Sequence, residues 1–377
     1  GLAVVQTDYA STNIAILGLD GSTSSGSILS SGSEGVKLNA PLGGDVVLPS
    51  ALDADELVLI DRYPNAVLTF LDLASGRVRG QLDVGTGFAS NPQDYLALSA
   101  NVALVSRYDL NPDPDAVLEE RGDDVLIVDP ENLSVTGVVE LEAVRAPAPF
   151  LTRPARLAFV RERVLVTLAG YDGRFQDAAP ARLAWLDEEA RRAVSSVEIE
   201  GMKNCAGLAV SPSGAEIALS CSGLVDGSDE ADPSDSGIVV FSVEETDEAA
   251  PRLLEKARFW AADFARGPFS FSLSYASEGT LIVGTYGAVE GPDAGRPDRV
   301  FSLEIADGTV HDWLESKEDP FTLGEIRCVT ACDVCFVADA GRGDVARFTS
   351  IRSAAPSVER WTIDETIGLP PRQVGHL

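Results

Sequence analysis

The chain has 377 residues, 45% of them hydrophobic, and a formal net charge of −30 with a sequence pI near 4.3. Such acidity repels nucleic acid and anionic membrane surfaces and suits cations, calcium among them, or a basic protein surface. No apolar run approaches the length of a membrane span, and no stretch keeps a helical period.

Short apolar strands recur instead, about every fifty-five residues. In chain order they are Val4-Val5-Gln6-Thr7-Asp8-Tyr9, Leu57-Val58-Leu59-Ile60-Asp61-Arg62-Tyr63, Ala103-Leu104-Val105-Ser106-Arg107-Tyr108 and Leu165-Val166-Thr167-Leu168-Ala169-Gly170-Tyr171. Ile217-Ala218-Leu219-Ser220-Cys221-Ser222, Leu281-Ile282-Val283-Gly284-Thr285-Tyr286 and Cys335-Phe336-Val337-Ala338-Asp339 complete seven. Each ends in a polar or Tyr-containing turn and is followed by another strand, a Gly/Asp/Asn turn and a further strand. A fixed period carrying only strand signals predicts an all-β chain, a seven-bladed β-propeller of four-stranded antiparallel blades. Length alone would suggest two or three domains. The unbroken repeat argues for one domain over 1–377.

Blades two to seven are expected over roughly 46–84, 93–143, 153–200, 204–258, 268–315 and 322–363. Blade one is split between 1–37 and 366–377. The chain enters an apolar strand at Leu2 with no inner strand before it, and Arg372–Leu377 is one strand too many for blade seven. Pairing that last strand inside Leu2–Thr7 closes the ring and removes two exposed sheet edges.

The segment Leu208-Ala209-Val210-Ser211-Pro212-Ser213-Gly214-Ala215-Glu216-Ile217-Ala218-Leu219 resembles the first hairpin of bacterial YVTN/lactonase-like propellers. Asp8-Tyr9-Ala10-Ser11-Thr12-Asn13-Ile14-Ala15-Ile16-Leu17 and Asp339-Ala340-Gly341-Arg342-Gly343-Asp344-Val345-Ala346-Arg347-Phe348 resemble the second hairpin of the same group. The resemblance implies the fold. Its members include lactonase-like enzymes, quinone-dependent dehydrogenases and secreted proteins, and no catalytic motif here transfers residue by residue.

Cysteine spacing points to an oxidising compartment. A hairpin register centred on Ser213 sets Cys205 opposite Cys221, and Cys328 faces Cys335 across another hairpin, leaving Cys332 odd. The chain starts at Gly1 rather than Met, so a removed leader and export to the periplasm, cell surface or medium are expected, with a lipid anchor upstream of Gly1 a further option.

Candidate chemistry is sparse. His311 lies in an outer strand and His376 beside the chain end, which gives neither a Ser/His/Asp set nor a multi-His metal site. No Gly-rich phosphate loop opens a helix. Arg342-Gly343-Asp344 reads as a tight turn rather than an adhesion signal.

Loop length is the better guide. With strands lettered A to D outward from the channel, B–C and D–A loops share one face, here the top. The B–C loops of blades three to six are long, over 108–122, 171–181, 223–236 and 287–297, and raise a wall on one side. Tyr9, Arg62, Tyr63, Arg107, Tyr108, Asp109, Tyr171, Asp172 and Tyr286 fall at or just past the B-strand ends, where aromatic and Arg groups suit a sugar, peptide or carboxylate. Asp113 and Asp115 add to the blade-three loop. Asp226, Asp229, Glu230, Asp232 and Asp235 form an acidic loop in blade five, a candidate calcium site whose spacing matches no EF-hand.

These features favour a non-enzymatic binding or scaffold propeller engaging a protein or carbohydrate through the top face. A lactonase-like hydrolase or lyase, with carboxylates, Arg and Tyr at the channel mouth, is the alternative. A broad, shallow top would favour binding, and a deep pocket with paired carboxylates would favour the enzyme.

Overall fold

The computed structural model describes residues 1–35, 37–189, 191–224, 233–246, 250–291, 293–317, 319–364 and 366–377. They form seven four-stranded antiparallel sheets, with only short 3-10 turns between them. In chain order blades two to seven occupy 46–83, 92–139, 154–198, 207–260, 269–315 and 323–362. Blade one pairs Pro371–His376 inside Leu2–Thr7, then Thr12–Leu17 and Thr23–Ser30, so the last strand closes the ring as the strand count requires.

The packing explains the unbroken apolar runs. Side chains alternate across a strand, and here both faces of a blade meet another blade. Ala3 and Val5 pack with Val46, Leu57 and Leu59 of blade two, while Leu2 and Val4 pack with Val334 and Phe336 of blade seven. Likewise Ile217 and Leu219 face blade four while Ala218 faces blade six. Seven apolar clusters result, one for each junction between neighbouring blades. The D strands lie at the rim and are polar, as in the largely exposed Ser357–Thr362.

The inner strands converge on the channel, most tightly at the seam. A Cβ at Gly324 of blade seven would collide with the carbonyl of Arg372 in the closing strand. Only glycine lets the two backbones approach so closely.

Both expected disulfides are present, Cys205–Cys221 and Cys328–Cys335, and Cys332 is free and exposed. Cys328 and Cys335 are direct ladder partners. The first pair needs a correction of register. The ladder runs Gly207↔Ser220, one residue away from a hairpin centred on Ser213. Asn204, at φ 53°, shifts the chain back before the strand begins, and Ser222 N donates to Asn204 O at 3.2 Å. That offset brings Cys205 to Cys221. Arg342-Gly343 forms a tight turn with Gly343 at φ 73°, as read from sequence.

Deleting 372–377 removes most of five paired positions at the seam, a loss on the order of 5 kcal/mol at about 1 kcal/mol per hydrogen bond. The melting temperature should fall sharply and proteinase K, which needs no basic residue, should cut blade one first. A deletion variant that melts like the parent would show that the ring does not depend on this strand. Replacing Cys205 and Cys221 together by Ala opens a crosslink spanning 16 residues, which should cost about 3 kcal/mol in chemical denaturation.

Candidate functional site

A repeated backbone contact sets the mouth of the channel. At the top of every B strand one amide donates to the carbonyl just before that blade's A strand. The pairs are Thr7 to Pro370, Arg62 to Asp45, Tyr108 to Asn91, Ala169 to Arg153, Ser222 to Asn204, Tyr286 to Pro268 and Ala340 to Thr322, all between 2.8 and 3.2 Å. Seven equivalent residues are thereby held at one height around the axis.

Above and inside this ring lies a top-face cavity of about 1100 Å³. That is just above the roughly 300–1,000 Å³ of small-molecule sites. Its walls are aromatic on opposite sides. On blades three and four Tyr108 stacks on Phe175 at 6.2 Å, and Tyr171 meets Phe175 at 5.6 Å. The Arg153 guanidinium lies 4.3 Å from the Phe175 ring and donates to Tyr108 O at 3.0 Å. Its charge is balanced by Asp109. Across the channel, on blades six and seven, Tyr286 lies 5.3 Å from Phe321 and 6.1 Å edge-on from Phe271. Tyr9 stands over the seam with the Arg372 guanidinium 5.2 Å from its ring. Burial pushes the Tyr108 and Tyr286 hydroxyls above their ordinary range, so both stay neutral.

The floor is polar and comes from the inner strands. Gln93, Arg156, Ala206, Ser270, Ser272, Glu325 and Gln373 line it. Arg156 of blade four reaches Glu325 of blade seven at 3.6 Å, nearly across the ring, and Arg327 lies 3.6 Å from the same carboxylate. Arg327 donates to Ser50 O at 2.9 Å. Asp94, fully buried, accepts from Ser50 N at 2.8 Å, Ser50 Oγ at 2.6 Å and Leu157 N at 2.8 Å. Blades two, three, four and seven are tied together below the cavity, while small residues on blades five and six leave that side open.

The residues expected at the mouth divide in four. Tyr9, Arg62, Tyr108, Tyr171 and Tyr286 line the cavity. Tyr63 stands beside the mouth, 60% exposed, and does not line it. Asp109 balances Arg153, and Asp172 accepts from its own loop at Arg174 N and Gln176 N, both at 2.9 Å. Arg107 is placed differently from the expectation. It is 0% exposed, its fork meets Asp124 at 2.8 and 2.6 Å, and it donates to Thr86 at 2.7 Å. It is a buried strut, because the strand alternation turns Arg107 inward and Tyr108 toward the channel.

Of the acidic loop, Asp226, Asp229, Glu230 and Asp232 lie outside the described residues. Asp235 pairs with Lys203 at 3.5 Å. Among the described residues no three His, Cys, Asp or Glu side chains converge to hold a metal ion. His376 sits at the lower end of the closing strand, held below its ordinary value by burial, the N-terminal amine and Arg327.

Sequence reasoning missed Phe175, Phe271, Phe321, Arg156 and Glu325. Phe175 was an apolar residue in a polar loop. Gly324-Glu325-Ile326-Arg327 set charges alternately with an apolar residue on an inner strand, a pattern that marks one face as channel-lining.

No protein-family model matches the sequence, and no curated protein matches it. Solved structures do. The Cps50 (Swd1) β-propeller domain of Myceliophteria thermophila aligns at 12% identity and TM-score 0.60, over 96% of this chain and 97% of that one. A "putative 6-phosphogluconolactonase" of Bacteroides uniformis aligns at 11% and 0.58 over 99% and 98%, and one of Bacteroides fragilis at 8% and 0.56 over 99% and 96%. Identities this low show the fold alone, and the lactonase-type resemblance holds at that level.

Two outcomes follow from the buried charges. Arg107→Ala leaves Asp124 buried without its partner, which should cost roughly 3–5 kcal/mol by denaturant unfolding. A loss below about 1 kcal/mol would contradict the strut assignment.

The second concerns pH. Burial pushes the Asp61, Asp94 and Asp123 carboxyls above their ordinary value. Stability from such groups is full below the unfolded value of about 3.9 and is lost as pH rises through the raised folded values. Asp8, lowered by the Ser11 and Ala10 amides, and Asp72, lowered by Ser75, act oppositely. Their contribution is present above about pH 3.9 and lost below it. Melting temperature at fixed ionic strength should therefore rise as pH is lowered from neutral toward the ordinary carboxylate range and fall again below about 3.9. Asp94→Asn should flatten the rise. A steady decline from neutral pH down to the ordinary carboxylate range would contradict this.

Proposed function

We propose that this chain is a binding propeller that takes a carbohydrate in its top-face cavity, without turning it over. The supporting observation is a ring of exposed aromatics around a polar floor. Among the described residues the exposed aromatic side chains are Tyr9 at 63%, Tyr63 at 60%, Phe175 at 43%, Phe321 at 50% and Phe159 at 54%. Tyr9, Phe175 and Phe321 line the top-face cavity, and Tyr63 and Phe159 do not. Exposed apolar groups gathered around one opening mark an interaction site. A sugar ring lays its C–H face on an aromatic side chain while its hydroxyls exchange hydrogen bonds, here with Gln93, Ser270, Ser272, Asn204 and Gln373.

Two features weigh between the alternatives. The cavity is deeper than a flat docking surface, which favours a compact ligand over a broad protein interface. Its floor carboxylate, Glu325, stands between two arginines rather than beside a second carboxylate, which does not favour acid–base hydrolysis. The two disulfides support an oxidising compartment, hence export.

An array of neutral and uronic-acid oligosaccharides tests the reading. Binding should appear on the array, and Phe175→Ala and Phe321→Ala, at the exposed rings, should each weaken it about tenfold or more with the melting temperature kept. An empty array overturns it. Turnover of a sugar lactone or ester by the parent, abolished by Glu325→Gln, would replace it with the hydrolase reading.

A further inference from the structure

The charged groups lining the cavity cancel. Among the described residues they are Arg62, Arg156, Arg296 and Arg372 against Asp45, Glu290, Asp293 and Glu325. The described lining is thus neutral in a chain of net charge −30. Three of the arginines are matched nearby or stacked. Arg62 meets Asp45 at 2.5 Å, Arg296 pairs with Asp293, and Arg372 lies over Tyr9 and donates to Phe321 O at 2.8 Å. Arg156 is matched at the floor, and its match is Glu325.

Glu325 carries more than one balance. It lies 3.6 Å from both Arg156 and Arg327, with its side chain 19% exposed to the cavity. The two arginines come from inner strands of different blades and would otherwise point two guanidiniums at one place. Asp94 lies below, accepts from Ser50 and Leu157 and offsets part of the charge of both arginines, but does not line the cavity. Separations of 3.6 Å are too long for strong hydrogen bonds, so the arginines keep donor capacity that a ligand carboxylate would fill once Glu325 were gone. With Glu325 present, an incoming carboxylate meets a like charge in a partly desolvated floor.

We propose that Glu325 sets the charge preference of the cavity, admitting uncharged saccharides and rejecting uronic acids. This rests on the carbohydrate reading above. Glu325→Gln keeps the shape and removes the carboxylate beside Arg156, leaving that guanidinium open to a ligand carboxylate with the charge of Arg327 behind it.

The array serves again, with hexose oligomers compared with hexuronate oligomers. The parent should bind hexose forms at least about tenfold better. Glu325→Gln, at unchanged melting temperature, should shift the preference toward hexuronates by about tenfold or more in low salt, and less as salt screens the site. Adding Arg156→Gln should reverse the shift, which also shows that it arises from charge rather than misfolding. A parent that prefers hexuronates, or a hexose-binding parent whose preference Glu325→Gln leaves unmoved, overturns the assignment and leaves the carbohydrate reading standing. A parent that binds neither overturns both.

Discussion

Two-sided burial is the constraint from which the rest follows. A lone blade in which Leu57, Leu59 and Phe70 are apolar on both faces cannot be solvated on either. Each blade needs two neighbours, and a finite row of blades satisfies that only by closing on itself. Closure then requires that the first and last blades meet. The chain achieves this by building blade one from both its ends, so the seam is held by a backbone ladder as well as by packing. The closeness of Gly324 to the Arg372 carbonyl shows how tightly that junction is drawn.

Closure dictates the centre as well. Seven inner strands converge on one axis, and side chains entering that space must be small, or must satisfy one another. Both solutions are used. Blades five and six contribute Ala206, Ser270 and Ser272, and space remains. Blades two, three, four and seven contribute a lattice of charge and hydroxyl around Asp94, Arg156, Glu325, Arg327 and Ser50. The lattice removes charges from water and earns little stability by itself. Its other effect is to place a polar floor under a cavity whose walls are aromatic.

The fold was legible because its cause is local and repeated. Unbroken apolar runs recurring about every fifty-five residues, Ser-Pro-Ser-Gly at a hairpin and a surplus terminal strand each carry their own meaning, and blade limits came within a few residues. The Cys205–Cys221 pairing was read through a register one residue off, because a left-handed Asn204 has no sequence signature that separates it from an ordinary loop residue. Tyr108 and Tyr286 were legible as B-strand ends, and Arg107, their neighbour in the same motif, was not. One step along a strand exchanges channel for core, and only the ladder fixes which is which. The floor was least legible. Arg156 and Glu325 are 169 positions apart in number and meet only because blades four and seven face each other across a closed ring.

Seven inner strands each offer a position to the floor, so the charge of the cavity is set blade by blade, independent of the surface. The surface of this chain is strongly acidic, and salt at physiological strength confines such charge to within about 8 Å. Inside the mouth screening is weaker, and a single uncompensated group would dominate what can enter. Among the described residues a balance of four arginines and four carboxylates keeps hydrogen-bonding capacity high and net field low. That balance is drawn from both sources, Arg156, Glu325 and Arg372 on inner strands and Glu290, Asp293 and Arg296 in the blade-six loop, and it is the basis of the proposal that the ligand is uncharged.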